Sequence, residues 1–180
     1  MRINYALGAI VFIVSSLYGF DDNKEGFLLN IGIGTGFIKS KNIQKDKEDK
    51  KTNLGVKTSL KLGYGVNKSL LLYYINDTNW YSFKDSKDTY ASSLNGIGAS
   101  YFPNEHEKYF ISGAVGLSSI INVSKKKSVN KLGYGVKVGA GYEFKPHVNI
   151  ESDYTYININ KSSLNSKKHS FNISVHYMWY

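Results

Sequence analysis

The pattern that decides the fold is clearest between residues 132 and 156, which read LGYGVKVGAGYEFKPHVNIESDYTY. Every even position from 132 to 144 carries an apolar side chain, whereas the odd positions carry glycine, lysine or glutamate. After Lys145-Pro146-His147 the alternation resumes, with large side chains at 148, 150, 154 and 156. Side chains on a strand alternate between its two faces. The stretch therefore predicts a β-hairpin with one apolar face and one face of small or charged residues.

The same alternation recurs along the chain and predicts eight strands, near 27–37, 54–66, 69–75, 89–102, 109–117, 132–144, 148–156 and 170–179. In the fourth strand the residues Tyr90 and Leu94 are out of phase with those that follow, which predicts a β-bulge near Ser93. Tight or short turns are expected at 67–68, 103–108 and 145–147. Four longer polar segments at the other end, 40–53, 76–88, 122–130 and 158–168, are expected to be loops.

The direction of the apolar face decides the class of protein. The interior of an eight-stranded barrel is only just wide enough for side chains to fill it. Thirteen of the seventeen glycines occupy the face opposite the bulky residues, so that face suits the narrow lumen. The bulky face then faces lipid. We therefore expect an all-β fold, an eight-stranded antiparallel up-and-down transmembrane β-barrel. The competing hypothesis is a soluble lipocalin-like carrier.

The N-terminus predicts a cleavable signal peptide. Arg2 precedes an apolar run over 6–14, and small residues follow up to Gly19. This is the layout of a secretory signal, and the run is too short to span a membrane as a helix. We expect a signal peptide at 1–19, a short segment at 20–25 and the barrel at 26–180. A buried N-terminal helix is the alternative. The chain has no cysteine, so it has no disulfide.

The chain is basic, with a formal net charge of +9. Fifteen lysines fall in the four predicted outer loops or directly beside them, against six acidic residues. An exported protein with basic loops is expected to meet anionic lipid headgroups, surface polyanions or host ligands, and no nucleic acid. The candidate loop contacts are Trp80, Tyr81, Phe83, Lys125, Lys126 and Lys127.

Six charged residues fall on the predicted inner face, three of each sign: Lys57, Lys61, Lys137, Glu143, Glu151 and Asp153. A buried ion without a partner is costly, so balanced signs indicate internal pairing. We expect Lys137 to pair with Asp153, which lies diagonal to it across the hairpin, and Lys61 to reach Glu151. These charges either plug the lumen or line a gated path for ions.

Two sets of residues raise the alternatives of catalysis and of metal binding. Ser174 and His176 share the inner face of the last strand, with Asp153 and Glu151 on its neighbour, which could provide a nucleophile, a base and an orienting acid. Serine on an inner strand face is also common filler, so we expect no enzymatic activity. His106, His147 and His169 are widely separated in the sequence, so we expect no metal site and no cofactor.

The apolar N-terminus, the eight alternating strands, the glycine-lined inner face and the aromatic C-terminus resemble the small outer-membrane β-barrel proteins of the OmpA, OmpX and opacity-protein group. The resemblance covers roughly residues 26–180. It implies export through the periplasm to the bacterial outer membrane of a Gram-negative cell. It also implies contact with outer-membrane lipid, lipopolysaccharide and the outer-membrane assembly machinery.

We expect a monomer with a structural or adhesion-like role at the cell surface and a largely filled lumen. A narrow porin-like channel for small solutes is the alternative. A lipid A-modifying enzyme is a further alternative function.

Overall fold

The computed structural model describes residues 24–44, 47–82, 88–103, 108–124, 131–161 and 164–179. Within these residues eight antiparallel strands follow one another around a closed barrel in chain order. The strands are β1 (Gly26–Gln44), β2 (Lys47–Asn67), β3 (Leu70–Ser82), β4 (Thr89–Tyr101), β5 (Tyr109–Asn122), β6 (Lys131–Lys145), β7 (Val148–Lys161) and β8 (Leu164–Trp179). None of the described residues forms a helix long and apolar enough to cross a membrane. The predicted fold class is confirmed.

The apolar face points outward, as the alternation predicted. Val138 is 60% exposed, whereas the adjacent Lys137 is 2% exposed. Ile150 and Tyr154 are each 40% exposed on the outside of β7, while Glu151 is fully buried inside. A soluble carrier would show the reverse distribution, because its bulky side chains would fill the interior. The exterior suits contact with lipid.

The strands extend further at one end than the sequence predicted. Residues 40–44 and 47–53 belong to strands and not to a loop, because β1 continues to Gln44 and β2 begins at Lys47, and the two strands pair from Gln44↔Lys47 onward. Residues 158–161 and 164–168 likewise belong to β7 and β8, which pair as far as Lys161↔Leu164. Both predictions were wrong because strand pairing satisfies backbone groups whatever the side chains are. Polar side chains on both faces suit a sheet that projects into water.

The second predicted loop was also wrong. β3 continues through 76–82, and its pairing with β4 runs without interruption from Leu70↔Tyr101 to Ser82↔Thr89. The same continuous register excludes the β-bulge expected near Ser93. Tyr90 and Leu94 lie on the inner face of β4 in simple alternation, and Leu94 is 1% exposed. Bulky residues on this part of the inner face, and not a bulge, account for the change of phase.

The opposite end carries the short turns. Asn67 closes the β2–β3 turn by accepting hydrogen bonds from the backbone N–H groups of Ser69 (2.9 Å) and Leu70 (2.8 Å). In the β6–β7 turn His147 adopts a φ of 67° and donates its N–H to Glu143 at 3.1 Å. β1 begins and β8 ends at this same end of the barrel. This asymmetry is typical of outer-membrane barrels, in which the short turns are periplasmic.

The apolar outer band marks the part of the wall that spans the membrane. On β8 it runs from Phe171 to Trp179, and at the lower end Tyr177 packs against Trp179 with ring centroids 4.4 Å apart. At the upper end Tyr156 packs against His169 at 5.1 Å. Aromatic rings of this kind sit where hydrocarbon meets headgroups. Residues 164–168 of β8 therefore lie beyond the membrane-spanning segment.

Candidate functional site

The middle of the lumen contains a layer of six charged side chains, three of each sign. Each has at most 2% of its surface exposed, and they come from β2, β3, β6 and β7. We call them the ionic layer: Lys57, Lys61, Asp77, Lys137, Glu151 and Asp153. The inner faces of these strands meet at the centre of a closed cylinder, so residues distant in sequence come together.

Every member of the ionic layer has an oppositely charged partner. Lys57 contacts Asp153 and lies 2.9 Å from Asp77. Lys137 bridges Asp77 at 3.0 Å and Glu151 at 3.1 Å. Ser59, Ser112 and Asn172 donate further hydrogen bonds to the three carboxylates. Mutual pairing of this kind compensates for the desolvation of buried charges.

The pairing differs from the prediction at two points. Lys61 does reach Glu151, at 2.7 Å. Lys137, however, contacts Asp77 and Glu151, so the expected pair with Asp153 was wrong. Asp153 is taken instead by Lys57, which reaches it across the barrel from β2.

Glu143 lies outside the ionic layer. It sits on the inner face at the short-turn end of β6, 8% exposed, and pairs with Lys24 at 3.1 Å. Its other oxygen accepts the His147 N–H, so Glu143 ties the N-terminal segment to the β6–β7 turn. It is a structural contact at the rim and not part of the central charges.

Asp77 is the charged residue that the sequence reasoning missed. It had been assigned to an outer loop, because β3 is apolar on both faces near 70–75 and its phase could not be read there. Leu71, Tyr73 and Ile75 face inward on β3. The next inward position, two residues after Ile75, is Asp77, which is 2% exposed. With Asp77 in place of Glu143, the inner charges remain balanced at three and three.

Apolar side chains close the lumen below the ionic layer, towards the short turns. They form one buried cluster, in which Phe102 and Phe110 pack with ring centroids 5.2 Å apart. The Tyr73 hydroxyl donates to the carbonyl of Ala99 at 3.0 Å, so this polar atom is satisfied as well. The cluster consists of Leu28, Leu71, Tyr73, Ile75, Phe102, Phe110, Ala114 and Met178.

A second set of buried side chains closes the lumen above the ionic layer. Ile38, Leu94, Ile157 and Ile159 are each at most 1% exposed and face inward. Tyr81, 3% exposed, stacks on Tyr90 with ring centroids 6.0 Å apart. Charged side chains in the centre are therefore enclosed between two layers of apolar ones.

Lys168 is a buried cation in this upper part of the lumen, beyond the membrane-spanning segment. It is 4% exposed, its Nζ donates to the Tyr81 hydroxyl, and it lies 4.5 Å from the centre of that ring. No carboxylate of the described residues lies within ion-pair distance of it. Burial without a counter-charge lowers the pKa of Lys168 to about 7. The sequence reasoning had placed Lys168 in an exposed loop.

Ser174 and His176 do come together, at the level of the ionic layer. The Ser174 hydroxyl lies 2.8 Å from His176 Nε2, and His176 Nδ1 lies 2.8 Å from the Asn30 amide oxygen. The two side chains are each 1% exposed inside a lumen that is closed above and below. The two side chains provide hydrogen-bond partners for each other and for the Asn30 amide oxygen.

Two predicted loop contacts lie on β3 and not in a loop. Trp80 is on the outer face, 39% exposed, and donates its indole N–H to the Thr58 hydroxyl at 3.0 Å. Tyr81 faces inward. Phe83, Lys125, Lys126 and Lys127 lie outside the described residues, as does the predicted signal peptide. Within the part of the chain that the structure describes, no cluster of three or more histidines, aspartates or glutamates could hold a metal ion.

Basic residues gather on the outside of the projecting sheet, above the upper aromatic ring. Lys41 of β1 is paired with Lys50 of β2 on one side and with Lys167 of β8 on the other. Lys41 and Lys167 are both partly exposed on the outer face, so two lysines lie side by side on neighbouring strands. In the row below, the exposed Lys39 is paired with His169. We call Lys39, Lys41, Lys167 and His169 the basic wall.

Comparison with known proteins agrees with this architecture. A sequence model of the outer membrane protein beta-barrel domain matches residues 7–178. No curated protein matches the chain.

Solved structures of the same fold include Ail of Yersinia pestis and Neisserial surface protein A. The attachment invasion locus protein Ail of Yersinia pestis has a TM-score of 0.52 and 16% identity, over 85% of this chain and 99% of that one. Ail in complex with the heparin analogue sucrose octasulfate matches with a TM-score of 0.52 and 13% identity, over 83% and 99% of the chains. Neisserial surface protein A has a TM-score of 0.54 and 19% identity, over 82% and 96%.

Proposed function

We propose that this chain, which belongs to the outer membrane protein beta-barrel domain family, binds polyanionic glycans on its basic wall. The protein is located in the bacterial outer membrane. In this proposal the barrel is a rigid anchor, and the projecting part of β1 and β8 is the binding surface. The ligands share one chemistry, several phosphate or sulfate groups carried on sugars.

The pairing of Lys41 with Lys167 and of Lys39 with His169 on the outer face is the observation that carries the proposal. Phosphate or sulfate groups placed against these side chains would accept charge-assisted hydrogen bonds from the ammonium groups. A cluster of basic side chains on the outside of a projecting sheet is expected of an anion-binding surface.

The height of the basic wall supports the same ligands. It begins at Lys39 and His169, directly above the ring where Tyr156 contacts His169. Phosphates of lipopolysaccharide lie near this level in the outer leaflet, and sulfated surface glycans would approach it from water. The complex of Ail with sucrose octasulfate is an example of a sulfated ligand on a barrel of this fold.

The packing of the lumen supports a binding role on the outer surface and argues against transport through the barrel or catalysis inside it. Two apolar layers enclose the ionic layer, so an ion would have to displace packed side chains such as Phe110 or Ile159 to pass. Ser174 and His176 are enclosed with it. We therefore propose that the barrel neither conducts ions nor acts as an enzyme, and that the buried charges hold the cylinder in one arrangement.

Replacing two lysines of the wall tests the proposal. We expect Lys39→Ala combined with Lys167→Ala to weaken the binding of sucrose octasulfate to the detergent-folded protein at least ten-fold in calorimetry. The matched control is Lys68→Ala with Lys145→Ala, which removes two lysines at the short-turn end. Equal affinities of the two double variants would refute the proposal.

Two different ligands distinguish whether the bound anion comes from the membrane's own lipid or from another glycan. Purified lipopolysaccharide and heparin are each titrated into the wild type and both double variants. Loss of both by the wall variant indicates a general glycan polyanion site, whereas loss of lipopolysaccharide alone indicates a site for the membrane's own lipid.

A further inference from the structure

A wide groove crosses the lipid-facing wall of the barrel in the half nearer the short turns. Its volume is about 850 Å³, and its lining on the outer face is apolar. Neighbouring strands contribute its side chains in register, with Tyr64 paired with Leu72, Leu72 with Ala99, Ala99 with Gly113 and Gly113 with Val138. We call this feature the lower groove.

Gly113 forms the floor of the lower groove, and the packing of the barrel does not account for it. A Cβ added at Gly113 would meet only the carbonyl oxygen of Lys137, at 3.8 Å. A Cβ added at Gly96 or Gly116, on the inner face, would instead collide with the backbone of the neighbouring strand. Glycine weakens a strand where no close approach requires it. Its presence here leaves an opening on a surface that bulky side chains otherwise cover.

The position of the groove places it in one leaflet of the membrane. Tyr64, at its lower end, is 60% exposed near the short-turn end of β2. Gly113 lies four residues above Tyr109, the first residue of β5, and therefore about 13 Å along the strand. This distance is within half of a hydrocarbon core of about 30 Å. The groove thus rises from the periplasmic interface towards the middle of the bilayer.

We propose that the lower groove binds one acyl chain of a phospholipid from the periplasmic leaflet. Its outer face presents no charged side chain, and at this depth hydrocarbon chains are the surrounding medium. The exposed Lys108 immediately precedes β5 at the interface, where it can pair with the phosphate of the same lipid. This site is separate from the basic wall and does not depend on its function.

Filling the groove tests the proposal. The folded barrel is transferred from phosphatidylglycerol vesicles into detergent, and the bound lipid is counted by native mass spectrometry. We expect the wild type to retain one phosphatidylglycerol and Gly113→Phe to retain at least ten-fold less. The matched control is Ala140→Phe, which adds the same ring to the same outer face outside the groove and should retain lipid as the wild type does.

A second variant keeps the test independent of one substitution. Ala99→Leu partly fills the groove and should also retain less phosphatidylglycerol. It replaces Gly113→Phe in the test if that variant does not show the heat-modifiable migration of a folded barrel. Three results would overturn the proposal. They are no retained phospholipid in the wild type, equal retention in all folded variants, and a wild-type dimer that the groove variants convert to a monomer.

Discussion

At the scale of single residues, Asp77 connects two of the three buried lysines of the ionic layer. It lies within 3.0 Å of both Lys57 and Lys137, so one carboxylate serves two ammonium groups. Removing one partner of a buried ion pair costs more than the pair contributes, because the other charge remains desolvated. Loss of the Asp77 charge would leave Lys57 and Lys137 with one carboxylate partner each.

Asp77→Asn is expected to lower the free energy of unfolding by about 3–5 kcal/mol. The amide keeps the size of the side chain but loses the charge that Lys57 and Lys137 share. Urea unfolding of the barrel in lipid vesicles measures the effect. Glu25→Gln, at an exposed acid beside β1, is the control and should be neutral within about 0.5 kcal/mol. Equal stability of the two variants would contradict the assigned pairing.

Lys168 is expected to make the stability of the barrel depend on pH. In the unfolded chain its pKa is near 10.5, whereas burial lowers the pKa to about 7 in the folded state. Between these values the unfolded chain binds more protons, so the free energy of unfolding rises with pH. Below about pH 7 both states are protonated, and the full cost of burying the charge remains.

Lys168→Met should therefore be more stable than the wild type at pH 7, by roughly 1–4 kcal/mol, and the advantage should fade towards pH 10.5. Urea midpoints at several pH values, compared with those of Lys167→Met on the outer face, measure the difference. An advantage that stays constant with pH would show that packing, and not ionisation, is responsible.

At the scale of strands, alternation predicted which face each strand presents but not where each strand ends. The hairpin of β6 and β7 was readable because lipid and lumen impose opposite demands on alternate residues. Above the membrane the outer face meets water and tolerates polar side chains, so residues 40–53 lose the alternation in sequence, while the backbone of Ser40 still pairs with that of Lys51. In β3 the lower inner face is itself apolar, so its phase was hidden and Asp77 was missed.

The projecting sheet should be visible in hydrogen exchange. Backbone amides of residues 39–41 and 50–52 are expected to exchange at least 100-fold more slowly than in an open loop, because paired backbone groups are protected. Amides of residues 57–61, within the membrane, give the protected reference. Exchange at the rate of an unstructured peptide would restore the loop first expected from the sequence.

At the scale of the whole molecule, closure of the barrel creates contacts that alternation alone does not specify. Lys57 on β2 meets Asp153 on β7, 96 residues away, because both point at the axis of a narrow cylinder. Sequence alternation predicts that both face inward, and the charge balance predicts that they pair. Which lysine meets which carboxylate depends on the depth of each residue along its tilted strand, and that depth follows from the register around the closed sheet.

The lumen as a whole is a stack of an apolar layer, an ionic layer and a second apolar layer, inside a wall whose outer face is apolar. Such a barrel should be a rigid anchor in the membrane with a closed bore. The two proposed binding surfaces, the basic wall and the lower groove, both lie on the outside.

Conductance in planar lipid bilayers tests the closed bore most directly. Barrel whose folding has been verified by heat-modifiable migration is inserted, and the current is recorded under applied voltage. We predict no discrete conductance steps above the baseline of the protein-free bilayer. Reproducible single-channel steps of a fixed size would contradict the sealed lumen and with it the arrangement of the charged and apolar layers described above.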